Sequence, residues 1–451
     1  MPRRPTDLRA PSRVRLLALS LPTFVFAGYD LARRSFLAAY LSYDLGMPIG
    51  DVGWLVMLVG LASIPAEMIA GGLCDRGWRR VGARTLWMAG GTVSSVGGGV
   101  ALLALDRSSG LLSLALAMLP LVAGWAICNV THGAWALEAT QDNRGRAQVF
   151  GLRALAGIGG GVAFSLIGVM QAGQMPSPFA AILIALLVAT PLAHLGLIAL
   201  VPDRAEPAGG LRRAALFAPI RLLFATRGNR RLAGLFALNG AHTATTTVGY
   251  LYLVGAALAI PEWGPTGILL QSICAAVGIA AVITYGSRVP PIQTLRVICW
   301  INLLLAMALI ALPPGRPAAL MLWSALFGLV SAIDFMALRV LLGDRLDLAA
   351  RADDASARAA AYYAAFHLPF NLCAALATGV LFAGYRLLGF DPAAAHGAEH
   401  PYVAAQLMPA LYALILMTAS LRLVRRYRQE QAAAPAPQAP AEPESTSTEQ
   451  V

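Results

Sequence analysis

The 451-residue sequence contains no lysine; all 34 of its basic residues are arginine. Charge of either sign is scarce, at 13% of residues, where soluble domains carry about 25%. A chain 58% hydrophobic with a mean hydropathy of +0.65 cannot cover itself with a polar surface, which excludes an ordinary soluble domain. Five cysteines, Cys74, Cys128, Cys274, Cys299 and Cys373, lie scattered with no C-x-x-C spacing and no His/Cys cluster. Neither a metal centre nor a disulfide framework is indicated. No H-E-x-x-H, no nucleophile motif and no clustered histidines appear, so no enzyme, cofactor or metal site is expected. Arginine standing for lysine throughout, with an excess of Ala, Gly and Pro, reads as coding bias rather than chemistry.

What remains is apolar and periodic. A helix needs about 20 apolar residues to cross the hydrocarbon core of a bilayer. That length predicts twelve spans: 16–43, 51–73, 86–105, 111–137, 149–171, 178–201, 232–257, 265–285, 295–313, 318–341, 360–385 and 402–423. The first is too long for the apolar core of a signal peptide and lacks a small-residue cleavage site, so it is expected to stay as a span. The arginines test the segmentation independently. With these spans, 27 of them fall on one side of the membrane, and only Arg107, Arg316 and Arg386 on the other. The positive-inside rule then places both termini in the cytoplasm. It also accounts for the net charge of +11 without a nucleic-acid partner.

The organisation expected is a cytoplasmic N-terminus (1–15), a six-helix half (16–201), a cytoplasmic linker (202–231), a second six-helix half (232–423) and a disordered tail (424–451). Within the linker, Leu-Arg-Arg-Ala-Ala-Leu-Phe and Ile-Arg-Leu-Leu-Phe look amphipathic and are expected to lie along the inner surface.

Several spans carry groups that lipid does not tolerate. FAGYDLARRSFLAAYL, residues 26–41, puts Asp30, Arg33 and Arg34 near the middle of the first span. Arg34 at i+4 from Asp30 can pair with it. Either the charges neutralise one another at a helix contact, or one of them faces a cavity and binds substrate or a coupling ion. Glu67 in the second span has no basic residue within a helical turn, which suits either a proton carrier or a hydrogen-bonded packing acid. Arg153, early in the fifth span, is either an interface residue reaching for water or a cavity cation. Asp334 in the tenth span is expected to pair with Arg339. Asn129 and His132, Asn239 and His242, and His367 and Asn371 add neutral polar groups to spans four, seven and eleven. Taken singly they read as buried hydrogen-bonded residues; together they suggest a polar cavity. Gly97-Gly98-Gly99 and Gly157 to Gly161 are explained by close helix packing.

Three loops carry a resemblance. GGLCDRGWRRVGARTLW (71–87) is similar to the loop between spans two and three of the major facilitator superfamily, with Asp75, Arg76 and Arg84 in matching places. ALEATQDNRGRAQVFGLR (136–153), with Glu138, Asp142 and Arg144, resembles the "E-x-T-x-D-x-x-x-R" run of the glycoside–pentoside–hexuronide:cation symporters, the melibiose-permease-like family. GDRLDLAARADDASAR (343–358), with Asp344, Asp347 and Arg358, is similar to that family's segment after span ten.

The resemblance implies an all-α membrane protein of the major facilitator fold, with twelve helices in two halves and substrate bound between them. The loops would be charged latches on the cytoplasmic side. It also implies a coupling site at Ser63, Glu67 and Asp30, where one of the family's two second-helix acids is replaced by Ser63. Asp30, Arg34, Asn129, Arg153 and Asn371 would bind substrate. Asn129 stands for a family acid, Asn371 for a family lysine, and Gly133 for a stacking tryptophan; Asp30 matches the first-helix acid only approximately.

The function expected is a divergent, monomeric, inner-membrane transporter working by alternating access. Its coupling ion would be a proton rather than sodium, and its substrate a small sugar, glycoside or uronide. A mover of amphipathic lipid- or drug-like molecules and a non-transporting sensor are the alternatives. The topology is directly testable. Alkaline phosphatase fused after Ser108 should be active and fused after Gly210 inactive; the reverse pattern would contradict the orientation.

Overall fold

The structure, a computed structural model, describes residues 13–73, 83–138, 143–175, 177–203, 218–285, 288–350, 359–390, 392 and 403–433. Its helices are α1 (Arg13–Asp44), α2 (Ile49–Leu73), α3 (Ala83–Leu103), α4 (Leu111–Glu138), α5 (Asn143–Met170), α6 (Pro178–Leu200), the short α7 (Ala218–Ala225), α8 (Arg227–Tyr252), α9 (Gly264–Tyr285), α10 (Pro291–Ile310), α11 (Pro317–Ala350), α12 (Ala359–Leu387) and α13 (Val403–Ala433). No strand occurs among the described residues. Val93, Leu112, Leu192, Ile283 and Leu304 point outward, as a lipid-facing surface requires.

Eleven of these helices are long and apolar enough to cross a membrane on length and composition alone. The twelfth span is α8. Arg227, Arg230 and Arg231 at its start, and Asn239, His242 and four threonines further along, dilute its hydropathy. It is nonetheless buried along most of its length, and it packs between α12 and α13.

The two halves repeat one packing scheme. Helix α1 packs on α5 and α6, α2 on α4, and α3 on α4 and α6; correspondingly, α8 packs on α12 and α13, α9 on α11, and α10 on α11 and α13. Between the halves, α2 meets α12 and α5 meets α9. Glycines permit the closest approaches. A side chain on Gly160 would collide with the Phe24 carbonyl of α1, and one on Gly240 with the Phe370 carbonyl of α12. Small residues at such contacts let helix backbones touch.

The end of the bundle that carries few arginines is sealed by aromatics from both halves. Tyr252 donates to the Ala38 carbonyl at 2.8 Å and lies 2.8 Å from the Ser42 hydroxyl. Its ring packs on Tyr43, Phe382, Tyr385 and Phe390.

The helices leading into this seal share a feature the sequence does not announce. Tyr40–Asp44 at the end of α1 and Leu253–Ala257 after α8 are both π-helical turns. Leu45 N donates to Tyr40 O and Met47 N to Leu41 O; in the other half Leu258 N donates to Leu253 O and Ile260 N to Val254 O. Each motif ends on a left-handed residue, Gly46 (φ 70°) in one half and Ala259 (φ 55°) in the other.

Two expected boundaries move. A tail is expected from 424, yet α13 continues to Ala433. Val424 and Tyr427 are buried, and Arg231 pairs with Glu430 at 2.7 Å, so this stretch is packed and anchored. Similarly, Arg227–Arg231 begins α8 rather than ending the linker. The second amphipathic linker piece falls wholly within α7; the first lies outside the described residues.

Left-handed backbone costs an L-residue about 1–2 kcal/mol. Ala259→Gly should therefore raise, and Gly46→Ala lower, the thermal unfolding midpoint in detergent. Shifts of the same sign would contradict the equivalence of the two motifs.

Candidate functional site

Near the middle of α1 a third π-helical turn, Ala32–Phe36, interrupts the helix, with Leu37 N donating to Ala32 O. Such turns are frequent at functional sites. Beside it, Asp30 Oδ1 lies 3.3 Å from an Nη of Arg33 and 3.4 Å from Nε of Arg34. These side chains are 40% (Asp30), 30% (Arg33) and 26% (Arg34) exposed, so the pairing does not close them off. The Arg33 guanidinium lies 5.5 Å over the Trp125 ring of α4, and that of Arg34 lies 5.7 Å over Phe370 of α12. The charged turn of α1 thus touches both halves.

Glu67 of α2 completes the group. It has no cation on its own helix, but it is not alone: Asn371 Nδ2 of α12 donates to Glu67 Oε2 at 3.3 Å across the interface between halves. Arg33, Asp30 and Arg34 act on it electrostatically. His367, one turn before Asn371, lies in the field of Arg339, Arg34 and Asp30. Asp30, Arg34, Glu67 and Asn371, expected at the site, are therefore brought together.

Arg153 is held in the N-terminal half. Its Nε donates to Thr23 Oγ1 at 3.2 Å and an Nη lies 3.4 Å from His132 Nδ1. Nε2 of His132 lies 2.7 Å from the Leu19 carbonyl, which can only accept, so that nitrogen carries the proton and Nδ1 accepts from Arg153. Ser63 donates back to Gly60 O of its own helix at 2.7 Å. Asn129 is half-buried on α4 with no hydrogen bond among the described residues.

Asp334 departs from expectation. Its carboxylate accepts from Asn239 Nδ2 of α8 at 2.6 Å, and Arg339 stacks 4.0 Å over Phe335. Arg339 is five positions from Asp334, beyond the i+3 and i+4 spacing at which a helix pairs its own side chains, and the carboxylate instead takes a hydrogen bond from a buried amide of a neighbouring helix.

Of the latch residues, Asp75, Arg76, Asp142 and Arg358 lie outside the described residues, as do the side chains of Glu138, Arg144 and Asp347. Arg84 is buried at the start of α3, where its backbone N–H and that of Thr85 donate to Asp203 at 3.0 and 3.1 Å. That contact caps α3 from the end of α6, within one half. Asp344 is exposed, while its neighbour Arg345 donates to the Tyr427 hydroxyl at 2.8 Å. Trp125 and Phe370, the platforms under the arginines, were not singled out, because an aromatic at helical spacing looks the same in a core as beside a site.

Residues 19–428 match the MFS/sugar transport protein family. The chain belongs to that family. No curated protein matches it. Among solved structures, a mutant of the nucleoside transporter NupG superposes with a TM-score of 0.69 at 15% identity, covering 91% of this chain and 98% of that one. A mutant of the peptide transporter POT gives 0.67 at 16% identity, covering 92% and 95%. These likenesses show the major facilitator fold, twelve helices in two six-helix halves, and with the family they make the protein a multi-pass membrane transporter. The resemblance carried by its loops is borne out at that level.

Removing Asn239 would strand the buried Asp334 carboxylate, and an unsatisfied buried polar group costs about 1–3 kcal/mol. Asn239→Leu should lower stability in detergent by that order, and Asn239→Leu with Asp334→Leu should recover most of it. A double variant as weak as the sum of the single losses would contradict the pairing.

Proposed function

We propose that the protein is a secondary transporter of the cytoplasmic membrane, with both termini cytoplasmic, that moves a small sugar-, glycoside- or uronide-like solute by alternating access coupled to protons. The observation that carries this reading is the Asn371–Glu67 hydrogen bond, which joins the halves beside the Asp30–Arg33–Arg34 group. A proton on Glu67 cancels its attraction to the arginines of α1 and weakens a bond that holds α2 to α12. Loading the carboxyl from one side of the membrane and emptying it to the other therefore acts on the interface that must open and close. Asp30 and Arg34, with Asn371 opposite, present donors and acceptors at mid-span, where a polar solute replaces the water it leaves behind. Arg153 and Asn129 extend that lining on the N-terminal half.

A second reading is favoured by one feature. The side chains beside Arg33 are apolar, Met118, Leu121, Val122 and Phe179 among them, and such a lining favours the hydrocarbon part of an amphipathic substrate over a further polar group.

Flux in proteoliposomes tests the proposal. An inward proton gradient should drive uptake of sugars or uronides, and Glu67→Gln should abolish gradient-driven accumulation while exchange persists. Flux indifferent to the gradient and unaltered in Glu67→Gln would overturn the coupling; binding without flux would overturn transport and favour a sensor.

A further inference from the structure

Two adjacent guanidinium groups at mid-span share one carboxylate oxygen. Asp30 Oδ1 accepts a hydrogen bond from Arg33 at 3.3 Å and lies 3.4 Å from Nε of Arg34, an ion-pair contact without hydrogen-bond geometry. Both distances are long beside the roughly 2.7–2.9 Å of a charge-assisted bond. Nε of Arg33 and Nε of Arg34 are buried without a hydrogen-bond acceptor. Each guanidinium also lies within cation–π distance of an aromatic ring, Arg33 at 5.5 Å from the Trp125 centroid and Arg34 at 5.7 Å from that of Phe370. A cation–π contact consumes none of a guanidinium's N–H donors, which lie in its plane as a fork. Glu67, the other carboxylate acting on them, is engaged by Asn371.

On α1 itself two cations face one anion; the second carboxylate, Glu67, belongs to α2, and once it carries a proton the arginines are left with Asp30 alone, at a depth where uncompensated charge is expensive. The guanidinium groups lie beside aromatics from opposite halves and are partly exposed.

We propose that Arg33 and Arg34 form the binding site for an anionic oxygen group, a carboxylate or phosphate, on the transported molecule. A sugar acid or sugar phosphate is then favoured over its neutral parent, with Arg33 as a specificity-determining residue. Guanidinium forks match such groups by paired N–H donors, and the anion supplies the charge that Asp30 alone does not. Resting on the proton-coupled reading above, this also sets the direction of coupling. Neutralising Glu67 leaves the site more positive, so the proton and the anion bind together and travel the same way.

The test is equilibrium binding to the purified full-length protein in nanodiscs, a readout independent of flux. Matched pairs serve as probes: glucuronate and glucose, glucose 6-phosphate and glucose, and lysophosphatidate and monoacylglycerol. One charge-assisted contact corresponds to about tenfold in affinity or more. At least one anionic probe should bind about tenfold more tightly than its neutral partner. Arg33→Gln should bring that ratio close to one, and Arg33→Lys, which keeps the charge, should retain part of it. Preference confined to the sugar pairs assigns a soluble acid, and preference confined to the lipid pair an amphipathic one; both support the anion site. Equal binding of charged and neutral partners, no binding of any anionic probe, or an undiminished ratio in Arg33→Gln would overturn it. Loss of gradient-driven flux with the binding preference intact would instead count against the coupling alone.

Discussion

An ionised side chain cannot rest against hydrocarbon, and the centre of this protein is arranged around that fact. Asp30, Arg33 and Arg34 are affordable in the middle of α1 only because α4 and α12 bring aromatic faces to the arginines and α2 brings a second carboxylate. Those helices belong to different halves. The charged turn therefore sits where the halves meet, and whatever moves one half against the other must disturb it. The two halves otherwise repeat one packing scheme closely, down to matching π-helical turns at the ends of α1 and α8. The π-helical turn at Ala32–Phe36 is where they part: the corresponding stretch of α8 is plain α-helix. Symmetry is broken where the charge lies.

The aromatic seal at the arginine-poor end gives this arrangement a direction. Tyr252 reaches across to Ala38 and Ser42, and four further rings close around it. Below it the α2–α12 contact continues inward as far as Glu67 and Asn371. These contacts join the halves on the arginine-poor side of the candidate site. At 3.3 Å the hydrogen bond between the Glu67 carboxylate and the Asn371 amide is a long one, which suits a joint that would break under the proposed alternating access.

Much of this was legible in the sequence, for physical reasons. Span length and arginine placement depend on bilayer thickness and loop charge, both one-dimensional properties, and they gave all twelve helices, including α8, which composition alone passes over. The polar residues of the site were also visible, since charge in an apolar run announces itself. Their partners were not. Glu67 looked solitary because Asn371 is 304 positions away, and Asp334 was matched to its helical neighbour Arg339 because Asn239 lies 95 positions off. Helical periodicity reports what one helix can do with itself and is silent on which helix stands opposite. The π-helical turns left no mark either; Tyr40–Asp44 and Leu253–Ala257 share a backbone, not a sequence. The end of α13 reads as tail because Arg422, Arg425, Arg426 and Arg428 mask the buried Val424 and Tyr427 between them.

The central claim is that the two halves rock about this charged centre, and the most direct measurement is a distance across the sealed end. Spin labels at Ser108 and Arg316, exposed loop positions on opposite halves at the arginine-poor face, report it by pulsed electron resonance in nanodiscs. With the transported solute and a lowered pH the account predicts a second, longer distance population, and Glu67→Gln should shift the balance between the two. One unchanging distance under every condition, in a protein that still carries out transport, would contradict it.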